Sequence, residues 1–463
     1  MVRRAAYASG FPEYLPSQRA VELSVLDSLR RTFELHGFAS IETSSVESLD
    51  RLLQKGETDK EVYLLRRLQA DADDDHSGLS HSGPDHSGMG LHFDLTVPLA
   101  RYVIANAGQL EFPFRRYQIQ KCWRGERPQE GRYREFTQAD IDIIGRDELS
   151  FDADIEIAAV MAEALSTLPV PPLRLQVNNR RLMEGFFLGA GAHDVGAAMR
   201  AVDKLDKVEP DQVRQSLVKD AGLEPEAADR CLQLASIATP DVSFAPAVRA
   251  LGIEHPLLDR GLAELTAVVE AAADVATDRV SVVADLRIAR GLDYYTGTVF
   301  EIRMQGWEHV GSICSGGRYD ALATDGRSTY PGVGISLGVS RLLGPLIGAG
   351  LLDASRSVPS VVLVALPDAD ARRSCRDIAQ QLRRRGIATE VAPEPTKYGR
   401  QIRYAQRRGI PYVWFPKPDG SDEVRDIRSG AQVPADPAAW SPPAADLRPS
   451  VVTPSNVTEE SSP

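Results

Sequence analysis

The stretch CWRGERPQEGRYREFTQADIDIIG, residues 122–145, joins a charged, turn-containing half to an apolar-rich end. Its Pro-Gln-Glu-Gly segment favours a turn, so we predict two antiparallel strands connected by a hairpin. The hairpin would present Arg124, Glu126, Arg132 and Phe136 around one site. Arginines beside an aromatic ring suit a triphosphate and a stacked base. Charge alone is equally consistent with a solvated surface hairpin.

Two further segments contain polar groups that need partners. In RIARGLDYYTGTVFEI, Arg290, Tyr294 and Tyr295 precede a strand whose pattern allows burial. They indicate either a ligand pocket or an ion pair beside two core tyrosines, and structural ion pairs are common. Arg341 is the single charge in the apolar run GISLGVSRLLGPL, where an unpaired charge is unfavourable. It either caps a strand or binds an anion.

The chain has 463 residues, of which 43% are hydrophobic, and is long enough for several globular domains. Apolar periodicity from Ser17, ending at Gly37, predicts an amphipathic helix that leads into a strand. LRLQVNN, residues 173–179, alternates apolar and polar residues and predicts a half-buried strand. Strand–helix alternation between residues 361 and 415 predicts a small parallel α/β domain.

These patterns divide the chain into five segments. Residues 71–90 lack apolar periodicity and are predicted to form a flexible loop within the first segment. After Gln432, seven prolines occur in thirty residues without apolar periodicity, which predicts disorder. The segments are 1–179, the first part of a core; 180–278, a helical insertion; 279–350, the second part of the core; 357–432, the α/β domain; and 433–463, a disordered proline-rich tail.

Charge and composition exclude several classes of function. The net charge of −12 argues against indiscriminate binding to nucleic acid, whose phosphates attract Lys and Arg. Residues 357–432 nevertheless hold 14 Lys and Arg against 9 Asp and Glu, so this segment is a candidate for contacting RNA. The sequence contains neither a stretch of about 18 apolar residues nor a signal peptide, and we expect a cytoplasmic protein without a membrane span.

No tightly bound metal is expected from the cysteines or histidines. The four cysteines lie far apart and form no C-x-x-C pair, which predicts reduced and mostly buried thiols. His76, His81 and His86 repeat every five residues and therefore share no face of a helix or strand. The Gly, Ser and Pro around them argue against a preformed metal site.

Together the quoted segments resemble the class II aminoacyl-tRNA synthetases, and within them the histidyl-tRNA synthetases, over residues 7–432. GFPEYLP resembles the N-terminal signature, and HGFASIETSSVES resembles motif 1, with Ser44 where a proline is usual. Residues 122–145 resemble motif 2, and residues 332–345 resemble motif 3. RGLDYYTGTVFE is similar to the histidine-specific signature, which other class II enzymes lack.

The resemblance implies a fold of the α/β (α+β) class. Its catalytic domain would be an antiparallel sheet flanked by helices, with a helical insertion and a C-terminal α/β anticodon-binding domain. The implied reaction joins L-histidine to histidine tRNA with ATP and Mg²⁺, through histidyl-adenylate and pyrophosphate. A homodimer is implied as well.

The same resemblance assigns roles to individual residues. The implied histidine site consists of Asp94, Thr96, Arg124, Gln138, Asp142, Arg290, Tyr294 and Tyr295. The implied ATP site consists of Arg124, Glu126, Arg132, Phe136 and Arg341, and the two catalytic arginines would be Arg124 and Arg290. The implied tRNA contacts are Lys397, Arg400, Arg403 and Arg407. Asp94 and Asp142 stand where many bacterial members have Glu, and either carboxylate can pair with an ammonium group.

Two other classes of function remain open. A non-catalytic, histidine-sensing protein resembling the regulatory subunit of ATP phosphoribosyltransferase would keep a histidine pocket but lack the anticodon domain. A pure RNA-binding or scaffold protein would keep the motifs without the reaction. Histidine-dependent pyrophosphate exchange separates both from a synthetase.

Overall fold

The computed structural model describes residues 8–53, 61–66, 88–288, 294–320 and 323–453. The chain divides into two compact units, residues 1–12 with 26–345 and residues 13–25 with 346–463. The repeated histidines at 76, 81 and 86 and most of the predicted 71–90 loop lie outside the described residues.

The helices and strands are numbered in chain order. The strands are β1 (Ala39–Ser40), β2 (Val46–Ser48), β3 (Tyr63–Leu65), β4 (Met89–Leu91), β5 (Phe114–Trp123), β6 (Glu135–Ile144), β7 (Leu173–Asn179), β8 (Ala238–Thr239), β9 (Val280–Asp285), β10 (Thr298–Met304), β11 (Cys314–Tyr319), β12 (Gly332–Gly338), β13 (Asp353–Ala354), β14 (Val362–Val364), β15 (Thr389–Val391), β16 (Tyr412–Phe415), β17 (Glu423–Asp426), β18 (Gln432–Pro434) and β19 (Val451–Val452). The α-helices are α1 (Pro16–Leu35), α2 (Leu49–Leu52), α3 (Thr96–Asn106), α4 (Asp152–Ser166), α5 (Arg180–Gly189), α6 (Val195–Val202), α7 (Pro210–Lys219), α8 (Pro225–Ala235), α9 (Phe244–Arg249), α10 (Pro256–Val275), α11 (Val339–Gly348), α12 (Arg372–Arg384) and α13 (Tyr398–Arg408).

The first unit is built on a large sheet with the strand order β1-β5-β6-β12-β11-β10-β7-β9-β8. Its central strands are antiparallel, and among the described strands of this sheet only the β1–β5 and β7–β9 pairs are parallel. The predicted hairpin is confirmed, because β5 and β6 pair antiparallel from Phe114↔Ile144 to Trp123↔Glu135. The sheet is therefore mixed, and the predicted antiparallel arrangement flanked by helices is confirmed for its central strands.

Alternation along β6 gives the sheet one polar and one apolar face. Ala139, Ile141 and Ile143 are buried on one side. Gln138, Asp140 and Asp142 point to the other side, since successive side chains of a strand alternate. Buried polar residues on neighbouring strands share that side, and it carries the candidate site described below.

The strand β7 is more buried than its alternating sequence predicts. Only Arg174 is exposed, and the half-buried interpretation is therefore wrong. This strand lies between β10 and β9, and α10 packs against it. Its polar residues are tolerated because they have partners: Asn178 donates to the Ile288 carbonyl at 2.8 Å, and Asn179 donates to Glu264 at 3.0 Å.

The motif 1 region forms as its sequence predicts. The helix α1 spans Pro16–Leu35, and Gly37 follows with a φ of 76°, a conformation that favours glycine. At the usual proline position, the Ser44 hydroxyl accepts a hydrogen bond from the Val46 amide at 3.2 Å. A side-chain turn of this kind holds the local backbone without proline.

The second unit contains a five-stranded sheet of order β15-β14-β16-β17-β18. The first three strands are parallel, and β17 and β18 continue antiparallel. The helices α12 and α13 alternate with the parallel strands, so the predicted small α/β domain is confirmed. Its core contains Trp414 and the run from Val361 to Leu366, all fully buried.

The prediction of a disordered tail is wrong for residues 433–453, which the structure describes. Trp440 packs on the core of the second unit, and Arg385 donates to the carbonyls of Pro437 and Ala439. Asp446 pairs with Arg428 at 2.7 Å. The prolines interrupt periodicity, but the segment is held by a buried aromatic ring and by backbone carbonyls. Residues 454–463 lie outside the described part.

Two further findings concern the whole described chain. Among the described helices, none is both long and apolar enough to cross a membrane. Cys122, Cys231, Cys314 and Cys375 are all buried and not paired in disulfides. Burial raises the pKa of Cys231 to about 12, so its thiol stays protonated at neutral pH.

Candidate active site

A cavity of about 460 Å³ lies over the polar face of the large sheet. The β5–β6 hairpin, the start of α11 and the segment before β10 contribute its walls. The predicted site residues that line it are Arg124, Glu126, Arg132, Phe136, Gln138, Tyr294, Tyr295 and Arg341. Residues far apart in sequence therefore meet at one place, which a solvated surface hairpin would not require.

Arg124 and Phe136 form one wall of this cavity. The Arg124 guanidinium carbon lies 5.1 Å from the centroid of the Phe136 ring, within cation–π range. The Arg124 Nε also donates to the Phe93 carbonyl at 3.0 Å, which fixes the side chain from the opposite direction. A flat cation held beside an aromatic ring can contact a phosphate and a base of the same nucleotide.

Arg132 and Arg341 place two more cations at the cavity. Arg132 pairs with Glu126 at 3.3 Å, and both are partly exposed. Arg341 lies in the first turn of α11, where its Nε donates to the Val310 carbonyl at 3.2 Å. Arg341 therefore lies at the start of a helix and lines the cavity, where an anion-binding residue would lie.

Asp142 is held in a buried ion pair that the sequence did not reveal. Its carboxylate lies 2.6 Å from the Arg116 guanidinium and accepts a hydrogen bond from the Tyr319 hydroxyl at 2.8 Å. The Arg116 side chain is fully buried. A Cβ on Gly334 would lie 2.0 Å from Asp142 Oδ1, so only glycine fits opposite this carboxylate. Asp142 is positioned below the cavity wall rather than in it.

Asp140 is a second buried acid on the polar face of β6, below referred to as the floor of the site, and the sequence analysis did not identify it. It is only 2% exposed, and burial raises its pKa to about 7, against a lowering effect of Arg116. One of its oxygens, Oδ1, has no hydrogen-bond partner among the described residues. Its place between Gln138 and Asp142, with the strand period of two, was the signal that would have identified it.

Three tyrosines pack beside these acids. The Tyr294 ring lies 5.2 Å from that of Tyr295 and 5.9 Å from that of Tyr319, centroid to centroid. Burial, and then neighbouring groups that include Asp142, raise the pKa of all three hydroxyls, which stay neutral at physiological pH. The alternative interpretation, in which the two residues are core tyrosines, is incomplete, since Tyr294 and Tyr295 also line the cavity.

The remaining predicted residues of the histidine site lie beside the cavity or outside the described residues. Asp94 is 7% exposed, and its Oδ1 accepts a hydrogen bond from the Val97 amide at 3.0 Å, at the start of α3. Thr96 is the first residue of that helix. Neither belongs to the described cavity lining, although the charge of Asp94 contributes to the raised pKa of Tyr294. Arg290 lies outside the described residues.

Two carboxylates of the cavity could contact a metal ion that arrives with a nucleotide. Across the described ranges, no three His, Cys, Asp or Glu side chains are grouped to hold a metal ion. Mg²⁺ bound to a triphosphate keeps phosphate and water ligands and needs only one or two carboxylates. Glu126 and the buried Glu301 line the cavity and meet that need. His92 is buried, and a hydrogen bond of 2.7 Å between its Nε2 and the Lys121 carbonyl orients its ring.

The predicted tRNA contacts occupy the second unit. Lys397, Arg400, Arg403 and Arg407 are all exposed, at the start of α13 and along it. Arg408, the next residue, is instead paired with Glu390 at 2.7 Å. The four exposed cations are available to a polyanion, whereas Arg408 stabilises the domain.

Comparison with known proteins identifies the family. A histidyl-tRNA synthetase family model matches residues 10–342, and an anticodon binding domain model matches residues 360–431. Histidine–tRNA ligase of Micrococcus luteus is 55% identical over 456 residues, which are 97% of this chain and 98% of the relative. Histidine–tRNA ligase of Cutibacterium acnes is 54% identical, over 96% of this chain and 98% of the relative.

A solved structure agrees with these relatives. The crystal structure of histidyl-tRNA synthetase from Nostoc sp. PCC 7120 matches with a TM-score of 0.79 at 31% identity, covering 98% of each chain. The family match spans both parts of the large sheet and every described wall of the cavity. The chain belongs to the histidyl-tRNA synthetase family.

Proposed function

We propose that the cavity over the large sheet binds L-histidine and ATP and forms histidyl-adenylate, which the protein then uses to charge histidine tRNA. As a member of its family, the chain is a histidine–tRNA ligase. The observation that carries the site assignment is the convergence of Arg124, Phe136, Gln138, Tyr295 and Arg341 on one cavity. These side chains supply cations, a stacking ring and hydrogen-bonding groups in one place.

The first step is attack of the histidine carboxylate on the α-phosphorus of ATP. The new bond joins a carboxylate oxygen to phosphorus, and the bond to the bridging oxygen breaks, so that its electron pair leaves with pyrophosphate. A carboxylate is already ionised at neutral pH, and the step therefore needs no general base. It needs alignment of the reacting atoms and positive charge around the phosphate.

Arg124 and Arg290 are the residues we assign to the α-phosphate. Arg124 is held by the Phe93 carbonyl and the Phe136 ring, and is therefore preorganised for this contact. Arg132 and Arg341 would bind the outer phosphates, and adenine would stack on Phe136 with Glu126 near its amino group. Glu301, which lines the cavity, would hold a Mg²⁺ ion that arrives with ATP, and the ion would supply positive charge at the phosphates.

The histidine end of the pocket is acidic and hydroxyl-rich. Asp94 and Asp142 supply negative charge for the ammonium group, and Gln138, whose Oε1 has no partner among the described residues, can accept a hydrogen bond from it. Tyr294 and Tyr295, kept neutral by burial, can exchange hydrogen bonds with the imidazole. Thr96, at the start of α3, completes the proposed set of contacts.

The second step transfers histidine to the tRNA, and we assign recognition of the anticodon arm to the second unit. This assignment is supported by the exposed basic row formed by Lys397, Arg400, Arg403 and Arg407.

A homodimer is also proposed, because Leu64 and Met89 on the small sheet β2-β4-β3 are 69% and 52% exposed and suit an apolar interface. Sedimentation at micromolar concentration tests the dimer.

The test of the proposed function is histidine-dependent exchange of pyrophosphate into ATP. Losing one preorganised contact to the α-phosphate should slow exchange about 10²- to 10³-fold, in Arg124→Ala and in Arg290→Ala. Arg127→Ala removes an exposed arginine of the same hairpin and should leave exchange near the wild-type rate. Histidine binding without any exchange would instead indicate the non-catalytic paralogue, and near-normal exchange in Arg290→Ala would remove that residue from the site.

A further inference from the structure

A second cavity of about 590 Å³ adjoins the first. The two share Arg132, Ser312 and Arg341 in their walls, so they meet at the end where the outer phosphates of ATP are proposed to lie. Beyond that shared wall, the second cavity is lined by Lys207 and Arg303. Lys207 comes from the helical segment between α6 and α7, which contributes no described residue to the first cavity.

The charges around this second cavity are unbalanced. Arg132, Lys207, Arg303 and Arg341 all line it, while Glu130 is the one carboxylate among its described lining residues. Glu130 already lies 3.5 Å from His309, and Arg303 pairs with Glu301 at 2.8 Å. Lys207 forms no ion pair within the described ranges. Converging cations of this kind lower the energy of an anion that enters the cavity.

The reaction supplies such an anion at this position. The nucleophile approaches from the histidine end, near Gln138 and Tyr295, and in-line displacement drives the leaving group away from it. Arg132 and Arg341 line both cavities, whereas Gln138 and Tyr295 line only the first, so the phosphates that these arginines hold would lie next to the second cavity. We propose that Lys207 binds the pyrophosphate group, both as the outer phosphates of ATP and as the departing product, an inference that rests on the proposed function.

Pyrophosphate fits this cavity better than the end of a tRNA does. It is small and highly charged, and it is continuous with the phosphates that the shared arginines would already hold. A tRNA backbone would need a row of cations along a groove, whereas these cations come from four different parts of the chain. The helical segment between α6 and α7 would then take part in adenylate formation.

The test compares Lys207→Ala with Lys204→Ala in the full-length protein. Lys204 is exposed on the same turn, and its carbonyl accepts a hydrogen bond from the Lys207 amide at 2.8 Å, but its side chain does not line the cavity. Each variant loses one positive charge from the same turn, and only Lys207→Ala removes a side chain that lines the cavity. Exchange is measured with varied pyrophosphate, ATP and histidine, and transfer from preformed adenylate to tRNA is measured in a single turnover.

We expect Lys207→Ala to raise the KM for pyrophosphate about five- to tenfold and the KM for ATP in the same direction, with the KM for histidine unchanged. Lys207→Arg should restore most of the affinity, and Lys204→Ala should match the wild type. Unchanged pyrophosphate and ATP constants in Lys207→Ala would overturn the inference, and so would slowed transfer to tRNA with normal exchange. Absence of exchange in the wild type would refute the proposed function instead.

Discussion

Replacing Asp142 with Asn removes the charge that balances a fully buried arginine. Arg116 lies 2.6 Å from Asp142, and their side chains are 0% and 7% exposed. Breaking a buried ion pair by neutralising one partner lowers stability by about 3–5 kcal/mol, because the remaining charge stays desolvated. The Asn carbonyl can still accept the Tyr319 hydroxyl, so we expect the lower end of that range, about 3 kcal/mol.

The comparison variants separate the ion pair from its surroundings. Tyr319→Phe removes a hydrogen bond of 2.8 Å to the same carboxylate and keeps the ion pair, which corresponds to about 1–2 kcal/mol. Asp274→Asn makes the same chemical change at an exposed position of α10 and should stay within about 0.5 kcal/mol. The double variant Arg116→Met/Asp142→Leu removes both charges of the ion pair, and stability should largely return.

Calorimetry and exchange kinetics measure the two consequences together. In a unit of this size each kcal/mol shifts the melting temperature by about 1–2 °C, so Asp142→Asn should melt about 4 °C below the wild type. Its KM for histidine should rise, and the double variant should recover the melting temperature without recovering activity. If Asp142→Asn melted at the same temperature as Asp274→Asn, the argument that this ion pair stabilises the folded protein would be wrong.

Three further predictions concern other parts of the chain. The pKa of Asp140 is raised to about 7 in the folded protein, so the free energy of unfolding of the wild type should fall as the pH rises from about 4 to 7. Asp140→Asn lacks this titration. In urea unfolding, its free energy of unfolding should therefore rise relative to that of the wild type by about 1 kcal/mol per pH unit over this range. Gly334→Ala places a Cβ 2.0 Å from Asp142 Oδ1 and should raise the KM for histidine at least tenfold, while Gly108→Ala, with open space around its Cβ, should behave as wild type in the same assay. Arg400→Ala/Arg403→Ala should lower kcat/KM for tRNA about tenfold with unchanged pyrophosphate exchange, whereas Arg373→Ala/Arg376→Ala, exposed on α12, should leave both unchanged; equal losses in the two pairs would point to net charge rather than to a tRNA-binding face.

Local patterns in the sequence identified the parts of the fold that depend on neighbours in the chain. The β5–β6 hairpin follows from a turn between two strand-forming runs, and α1 follows from apolar periodicity ended by Gly37. The residues of the cavity wall were found because they lie within such motifs. The order of residues 433–453 could not be predicted in this way, since it depends on Trp440 reaching a core formed by other segments.

The partners of Asp142 could be predicted only from the way in which the strands pair. Arg116 lies opposite Asp142 across the β5–β6 hairpin. Tyr319, by contrast, lies 177 residues away in sequence and contacts Asp142 because its strand, β11, is next to β12, which is next to β6. Nothing in a single sequence states that order or its register. Asp140 was missed for a different reason: an acid between two predicted site residues has the correct strand period, but only burial shows that it is part of the floor.

The glycines of β12 connect the sequence pattern to the pocket. Gly334 lies beside Asp142, and a Cβ on Gly332 would lie 2.4 Å from the Tyr319 ring. Each glycine leaves a space in the sheet that a large polar side chain from the neighbouring strand occupies. In the alternation Gly-Val-Gly at 332–334, apolar Val333 thus points to the buried face, and the two glycines leave room on the opposite face for Tyr319 and Asp142. A repeated glycine in a buried antiparallel strand is therefore a sequence signal for a polar pocket beside it, and not only for a flexible backbone.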